Sequence, residues 1–346
     1  MEDVTRIVII GGGPGGYEAA LVAAQLGADV TVIERDGPGG ACVLTDCVPS
    51  KTLIATSTRI SVMSESAGLG LRFSGGPDGI VGALEADMPT VNKRVKDLAR
   101  AQSFDIAERL AYEEVKIVRG EGRLVEPHVV AVGDRRIRAD IVLIATGATP
   151  RVLPGAEPDG ERILDWRQLY DLPELPEELI VVGSGVTGAE LAGAYLALGS
   201  KVTLVSSRDR ILPTEDADAA AVLQEVFLRR GMNVMSRSRA AGVERTGDGV
   251  VVTLEDGSKV EGSHCLMTVG MVPNTKGIGL EEVGVRCDSR GFVEVDKVSR
   301  TSVPNIYASG DCTGVLMLAS VAGMQGRIAM WHALGEAVQP LKLGWV

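Results

Sequence analysis

Short apolar runs alternate along the chain with segments rich in alanine and leucine, a pattern typical of buried parallel strands followed by helices. The first apolar run, residues 7–10, leads through a glycine-rich turn into a helix-like segment, residues 17–26, which ends at Gly27. A second strand is predicted at residues 29–33, and Glu34 follows it directly. This order predicts a βαβ unit at the start of the chain.

The turn after the first strand has the spacing G-x-G-x-x-G, formed by Gly11, Gly13 and Gly16 with Pro14 between them. Glycines there allow a tight turn and a close approach to a pyrophosphate, which the amides of the helix N-terminus then face. Glu34 lies eighteen residues after Gly16, where a carboxylate can accept hydrogen bonds from ribose hydroxyls. A glycine-rich turn in an unrelated sheet is the alternative. The complete strand, helix, strand and acid order disfavours it.

The same pattern returns 172 residues later. Residues 179–182 form a second apolar run, and Gly183, Gly185 and Gly188 repeat the glycine spacing before a predicted strand at 201–205. Two fingerprints imply two dinucleotides, and the natural pair is FAD with a nicotinamide cofactor, because these two exchange a hydride. The predicted fold is therefore α/β, with two Rossmann-like dinucleotide-binding domains.

The second fingerprint lacks the acid of the first. Ser206 stands in the position that corresponds to Glu34, and Arg208 and Arg210 follow it. A carboxylate at this position favours NAD, whereas its absence with arginine nearby admits NADP. The alternative is that both arginines simply belong to a solvated loop. The sequence predicts that NADPH is accepted and does not exclude NADH.

Length, charge and composition narrow the possible partners. The chain has 346 residues, enough for two or three domains of roughly 100–200 residues each. A net charge of −11 opposes binding to a polyanion, and aromatic residues, at 3%, are too few for a base-stacking surface, so nucleic acid is not a predicted partner. No apolar run approaches the roughly 20 residues of a membrane span.

The cysteines suggest a reducing compartment. Five occur, an odd number without the spacing of a secreted disulfide framework: Cys42, Cys47, Cys265, Cys287 and Cys312. The first residues contain no basic segment or cleavage site typical of a signal peptide, and a cytoplasmic location is predicted. No metal site is expected, since only the adjacent pair His264 and Cys265 combines the ligand types closely, and neighbours in a strand point to opposite faces.

Cys42 and Cys47 are the candidate redox pair. They are separated by four residues, so that a distorted helix could present both sulfurs on one side, and they follow the loop after Glu34. Thiols at the edge of a cofactor cleft can pass through a disulfide–dithiol cycle. Inert packing is the alternative, and the position of the pair disfavours it.

Five motifs together resemble one flavoprotein family. They are the glycine turn at 11–16, the C-x-x-x-x-C-x-P-S-K run at 42–51, Ala145-Thr146-Gly147 after an apolar run, the second glycine turn at 183–188, and the segment 301–311 that ends in Gly310-Asp311. The chain resembles the class I pyridine nucleotide-disulfide oxidoreductases, which include dihydrolipoamide dehydrogenase, glutathione reductase and mercuric reductase. The resemblance covers essentially the whole chain.

The resemblance implies a role for each matching residue. Asp311 is expected to contact FAD, Cys47 to lie against the isoalloxazine, and Cys42 to exchange with a disulfide substrate. Lys51 is expected near flavin N5, paired with Glu190, where its charge stabilises the reduced flavin; an exposed ion pair of little energetic value is the alternative. The further residues expected to contact the cofactors are Ala145, Thr146, Gly147 and Gly270.

The resemblance also predicts the domain order. An FAD domain is expected at 1–150 and again at 276–346, with the NAD(P) domain, 151–275, inserted between these two parts. The family has a C-terminal interface domain that completes a dimer and supplies a His–Glu base. This chain is expected to lack that domain, and a homodimer is expected when the domain is present.

The chain departs from the family pattern at three positions. Ala41 and Asp46 precede the two cysteines where the family usually has Thr and Gly, and Met271 replaces an Arg. An acid beside Cys47 disfavours the thiolate that dithiol chemistry needs. The prediction is therefore an NAD(P)H-dependent flavoenzyme that reduces a quinone-type small molecule. A disulfide reductase working through Cys42 and Cys47 is the alternative, and a non-catalytic redox-sensing module is disfavoured.

Overall fold

A computed structural model describes residues 4–70 and 85–344 of the protein. In these ranges the helices are α1 (Pro14–Gln25), α2 (Gly40–Leu44), α3 (Cys47–Glu65), α4 (Met88–Tyr112), α5 (Val186–Leu198), α6 (Ala217–Arg229) and α7 (Ala319–Ala333). The strands are β1 (Arg6–Ile10), β2 (Asp29–Glu34), β3 (Lys116–Arg119), β4 (Gly122–Glu126), β5 (Val129–Val132), β6 (Arg135–Arg138), β7 (Ile141–Ile144), β8 (Ala148–Pro150), β9 (Ile163–Asp165), β10 (Glu178–Val182), β11 (Lys201–Val205), β12 (Asn233–Met235), β13 (Ala240–Thr246), β14 (Gly249–Leu254), β15 (Lys259–Gly262), β16 (His264–Met267), β17 (Met271–Pro273) and β18 (Ile306–Ala308).

Of the described residues, the first compact unit comprises 4–44, 99–149 and 271–344. Its parallel sheet has the order β18-β7-β1-β2-β3. Alternate residues of β1 face two different cores: Val8 and Ile10 pack with the antiparallel sheet β4–β6, whereas Ile7 and Ile9 pack with α1 and α7. This two-residue period is the reason why the strand reads as a continuous apolar run.

Of the described residues, the second unit comprises 45–70, 85–98 and 150–270. Its parallel sheet, in the order β12-β11-β10-β16-β9, repeats the arrangement of the first. Ile180 and Val182 of β10 pack with Val250 and Val252 of β14, which belongs to the antiparallel sheet β13–β15. The α/β fold with two parallel sheets, each carrying one glycine fingerprint, agrees with the prediction.

Residues 45–70 and 85–98 group with the second unit, because α3 packs against α5. Two predicted helices differ from those in the structure. Cys42 and Cys47 belong to two helices and not to one distorted helix, since Asp46 has a non-helical backbone (φ −125°, ψ −95°). The last helix begins at Ala319 and not at Leu316, because Leu318 is extended.

Candidate functional site

Each glycine fingerprint lies at the point where the strand order of its sheet reverses. β1 is flanked by β7 and β2, and β10 is flanked in the same way by β16 and β11. In open α/β sheets the crevice at the carboxyl ends of two such strands is where dinucleotides bind. The topology therefore provides two binding crevices, one in each unit.

The first glycine turn is shaped by close backbone contacts. Gly11 has φ +107°, and its N–H donates to the carbonyl of Ile33 at 2.8 Å. A Cβ on Gly11 would overlap the carbonyl oxygen of Ala145, and one on Gly16 would overlap that of Gly11. A Cβ on Gly13, which caps α1, would meet nothing within 4 Å. The turn is therefore closely packed at Gly11 and Gly16 and open at Gly13, as the binding of a diphosphate requires.

Glu34 ties the end of β2 to the glycine turn. Its Oε2 accepts from the N–H of Gly12 at 2.5 Å, and its Oε1 accepts from Asp36 and Gly37 at 2.7 and 3.2 Å. A carboxylate offers about four lone-pair positions, so Glu34 keeps capacity for a ribose hydroxyl. Glu34, the predicted acid, therefore lies at the crevice and also fixes the loop that follows β2 through its hydrogen bonds.

The other predicted residues of the first unit border the same edge of the sheet. Asp311 is half-buried just beyond β18, which pairs with β7. The turn from Ala145 to Gly147 directly follows β7, and Asn274 fixes it by donating from Nδ2 to the carbonyl of Thr146 at 2.9 Å. Neighbouring parallel strands end at one edge, which brings these segments to the first fingerprint.

The second fingerprint reproduces the first in detail. Gly183 has φ +114°, a Cβ on Gly188 would overlap the carbonyl of Gly183, and a Cβ on Gly185 would meet nothing within 4 Å. Thr268 contacts the second turn as Ala145 contacts the first, because the carbonyl oxygen of Thr268 lies where a Cβ of Gly183 would be. Gly270 was predicted from the sequence, whereas Thr268 was not. Aligning Thr268-Val269-Gly270 with Ala145-Thr146-Gly147 would have found it.

Ser206 lies buried at the end of β11, where NAD-dependent proteins carry an acid. Its Oγ lies 2.7 Å from the Oγ of Ser184 and accepts from the N–H of Arg208 at 3.1 Å. The side chain of Arg208 is exposed beside it. The second crevice therefore presents no carboxylate from this position.

The two cysteines fall in different units. Cys42 is half-buried in α2 of the first unit, and Cys47 is half-buried at the first turn of α3 in the second. Burial raises the pKa of Tyr17 on α1, and the charges of Glu18 and Cys42 raise it further.

Lys51 and Glu190 form the predicted ion pair within the second unit. Lys51 Nζ donates to Glu190 Oε2 at 2.7 Å, with the side chains 56% and 30% exposed. Burial lowers the pKa of Lys51, but the hydrogen bond and charge of Glu190, with Cys47 and Asp46, outweigh it, so the pKa is raised. Lys51 therefore carries its positive charge throughout the neutral range.

Asp46 and Tyr170 extend this group of side chains. Burial raises the pKa of Asp46, opposed by the charge of Lys51 and reinforced by that of Glu190. Burial also raises the pKa of Tyr170, and Asp46 adds to the shift. The hydroxyl of Tyr170 is buried without a hydrogen-bond partner among the residues that the structure describes. Tyr170 was not predicted from the sequence, because the Pro-containing segment that follows it resembles a linker.

Each unit has a crevice at its glycine fingerprint. The acid Glu34 lies at the first crevice and Ser206 lies at the second, and together the two crevices define a protein that holds two dinucleotides. Residues 5–326 match the profile of the pyridine nucleotide-disulphide oxidoreductases, and the chain belongs to this family. The family uses FAD and NAD(P)H, so the protein is an oxidoreductase. The glycine positions that a Cβ would close, together with the open N-caps of α1 and α5, fit both groups.

Relatives in two activity classes are similar over nearly the whole chain. An NAD(P)H dehydrogenase (quinone) from Mycobacterium tuberculosis is 54% identical, covering 98% of this chain and 71% of the relative. A dihydrolipoyl dehydrogenase from Geobacillus stearothermophilus is 35% identical, covering 94% and 69%. These relatives share the family and differ in the named activity.

Solved structures agree with this grouping. The crystal structure of LpdA from Mycobacterium tuberculosis superposes with a TM-score of 0.91 at 53% identity, covering 98% of this chain and 74% of that one. The flavoprotein disulfide reductase RclA from Escherichia coli gives 0.83 at 25% identity, covering 97% and 72%. Within residues 4–70 and 85–344, none of the helices has the length and apolar character that a bilayer crossing requires.

Proposed function

We propose that this protein is an FAD-dependent oxidoreductase that passes electrons from NAD(P)H to a quinone-type acceptor. The observation that carries the proposal is the 54% identity, over 98% of the chain, to a relative named NAD(P)H dehydrogenase (quinone). When bound, FAD accepts a hydride from NAD(P)H and delivers the electrons to an acceptor without the help of thiols.

The first crevice is assigned to FAD. The glycine turn and the amides at the start of α1 would hold the diphosphate, and Glu34 would accept from the ribose. Pro14, at the first position of α1, has no N–H of its own and leaves the neighbouring amides to face the ligand. Asp311 and the turn from Ala145 to Gly147 would complete the crevice. The second crevice, with Gly183, Gly185, Gly188 and Gly270, is assigned to the nicotinamide cofactor.

Lys51 and Glu190 are assigned to the reaction itself. The 2.7 Å pair fixes the ammonium group in place, and Glu190 keeps it protonated. A fixed positive charge stabilises negative charge that develops nearby during electron transfer. The pair is 56% and 30% exposed, so as a structural contact it contributes little to stability.

Asp46 favours a quinone over a disulfide as the acceptor. The N-terminus of α3 would by itself stabilise a thiolate at Cys47. A carboxylate at the preceding residue opposes that effect when ionised, because like charges then meet at the same helix end. Reduction of a quinone requires no thiolate and is unaffected by this conflict.

We expect quinone turnover that does not depend on the thiol pair. Steady-state reduction of a naphthoquinone and of lipoamide is measured in the parent protein and in Cys47→Ser. Quinone turnover in the variant should stay within about twofold of the parent, with little lipoamide turnover in either protein. Cys287→Ser, at an exposed position of the first unit, is the matched control. Brisk lipoamide reduction that disappears in Cys47→Ser would overturn the proposal.

That same result would support the second candidate function, a dihydrolipoyl dehydrogenase-like reductase working through Cys42 and Cys47. The observation in its favour is that both cysteines are present in a chain 35% identical to an enzyme of that name. The location in the cytoplasm, homodimerisation, and the domain boundaries 1–150, 151–275 and 276–346 stay predictions.

A further inference from the structure

Asp46 is a half-buried acid whose carboxyl has no partner. It directly precedes α3, yet its side chain accepts no hydrogen bond from the first turn of that helix. Within residues 4–70 and 85–344 its carboxyl forms no hydrogen bond or ion pair. The other acids in the described part of the second unit that are not exposed each form an ion pair, with N–O distances of 2.6 Å for Asp165, 3.0 Å for Glu178 and 2.7 Å for Glu190. Burial without a partner disfavours the ionised form of a carboxyl, so Asp46 is suited to hold a proton.

The charges around Asp46 oppose each other. Burial is the largest cause that raises the pKa of Asp46, while the charge of Lys51 lowers this pKa and that of Glu190 raises it. Lys51 and Glu190 are bound to each other at 2.7 Å, so the positive charge that Asp46 senses is offset by a negative one. Burial of the carboxyl therefore decides the direction of the shift.

A second unpartnered polar group belongs to the same surroundings. The hydroxyl of Tyr170 has no hydrogen-bond partner among the described residues, and only 3% of this residue is exposed. Burial, and after it the charge of Asp46, raises the pKa of Tyr170. The other titratable groups that act on Tyr170 are Tyr195 and Glu190 on α5 and Cys47 on α3. A buried hydroxyl without a partner is unfavourable, and it gains stability when an acceptor becomes available.

Reduction of a quinone requires protons as well as electrons. A quinone that becomes a hydroquinone takes up two electrons and two protons. Electrons that arrive as a hydride bring one of these protons with them, and the other has to come from an acid or from water. A positioned acid transfers that proton faster than water does, typically by about 10²–10⁴-fold.

We propose that Asp46 is the catalytic acid that protonates the quinone and that Tyr170 is its positioning residue. The O–H bond of the Asp46 carboxyl breaks as an O–H bond of the hydroquinone forms, and the remaining carboxylate takes a new proton from water. Tyr170 donates a hydrogen bond to that carboxylate. Asp46 directly precedes the helix that carries Lys51, the residue assigned to the reaction. The inference rests on the proposed function, since it needs a quinone as the acceptor.

The test compares two acceptors in the FAD-loaded full chain. A naphthoquinone needs a proton for its reduction, whereas ferricyanide takes single electrons and no proton. Asp46→Asn removes the acidic proton and keeps the size of the side chain. The ratio of naphthoquinone turnover to ferricyanide turnover should fall by about 10²-fold in this variant. Asp46→Glu, which keeps the acid, should restore most of the ratio.

The pH dependence of naphthoquinone turnover gives a second readout. In the parent, turnover should fall as the pH rises through the pKa of Asp46, because only the protonated carboxyl donates. Asp46→Asn should lose this dependence. In Tyr170→Phe the fall should occur at a higher pH, because the carboxylate loses a hydrogen bond that stabilises it.

An infrared titration observes the proton without turnover. The C=O stretch of a protonated carboxyl should persist in the parent at pH values where ordinary aspartates, with a pKa of about 4, are ionised, and it should be missing from Asp46→Asn. Asp97→Asn is the matched control, since Asp97 is an exposed acid of the same unit that pairs with Lys93 at 2.5 Å. It should leave the turnover ratio, the pH profile and the infrared band as they are in the parent.

A parental turnover ratio in Asp46→Asn, or an infrared band that persists in this variant, would overturn the inference and leave the proposed function intact. A parental pH profile in Tyr170→Phe would refute the role of Tyr170. A parent that reduces ferricyanide but no quinone would refute the proposed function, and this inference with it.

Discussion

Glu34→Arg should remove FAD from the protein. The substitution deletes the acceptor that holds the N–H of Gly12 at 2.5 Å and those of Asp36 and Gly37. Arginine has no acceptor for a ribose hydroxyl, and its positive charge would lie at the positive end of the α1 dipole. Hydrogen bonds to charged groups contribute about 1.5–3 kcal/mol each, so loss of the expected ribose contact together with the bond that fixes the glycine turn weakens FAD binding by about 100-fold or more.

The ratio of flavin absorbance to protein absorbance after purification measures this effect. Glu34→Gln keeps one oxygen acceptor at nearly the same size and should lose flavin only in part. Glu282→Arg is the control for charge reversal, since Glu282 is an exposed residue of the same unit, paired with Arg123. A yellow, fully loaded Glu34→Arg protein would contradict the assignment of FAD to the first crevice.

Lys51→Met should slow the reduction of the bound flavin by about 10²–10³-fold, the usual effect of removing one fixed group that stabilises developing charge. Methionine keeps a similar length and apolar stem but has no charge. Rapid mixing with NADPH without oxygen, followed at the flavin absorbance, gives the rate. Flavin content should stay at the parental level, because the residues assigned to the diphosphate and ribose lie in the first unit.

Lys93→Met is the matched control for this prediction. Lys93 lies on α4 in the same unit and forms an exposed pair with Asp97 at 2.5 Å. Its substitution should leave the rate within about twofold of the parent, because exposed pairs of this kind contribute little. A parental rate in Lys51→Met would show that the pair with Glu190 is only a surface contact.

The sequence by itself determined the features that depend on local chemistry. The buried β-branched runs at β1 and β10 favour interior strands, and the bounds of both strands agree with the prediction to within a residue. Only glycine adopts the left-handed backbone of Gly11 and Gly183 at low energetic cost. The glycine motif therefore identifies both turns from the sequence.

Only the tertiary structure decided which distant residues meet. Three features depend on packing between segments far apart in the chain. They are the packing of α3 against α5, the contact of Thr268 with the second glycine turn where Ala145 contacts the first, and the burial of the Tyr170 hydroxyl. Arg237 lies beside Arg208 because β11 and β12 are neighbours in one parallel sheet, and strand order is set by helix crossovers and not by residue pattern.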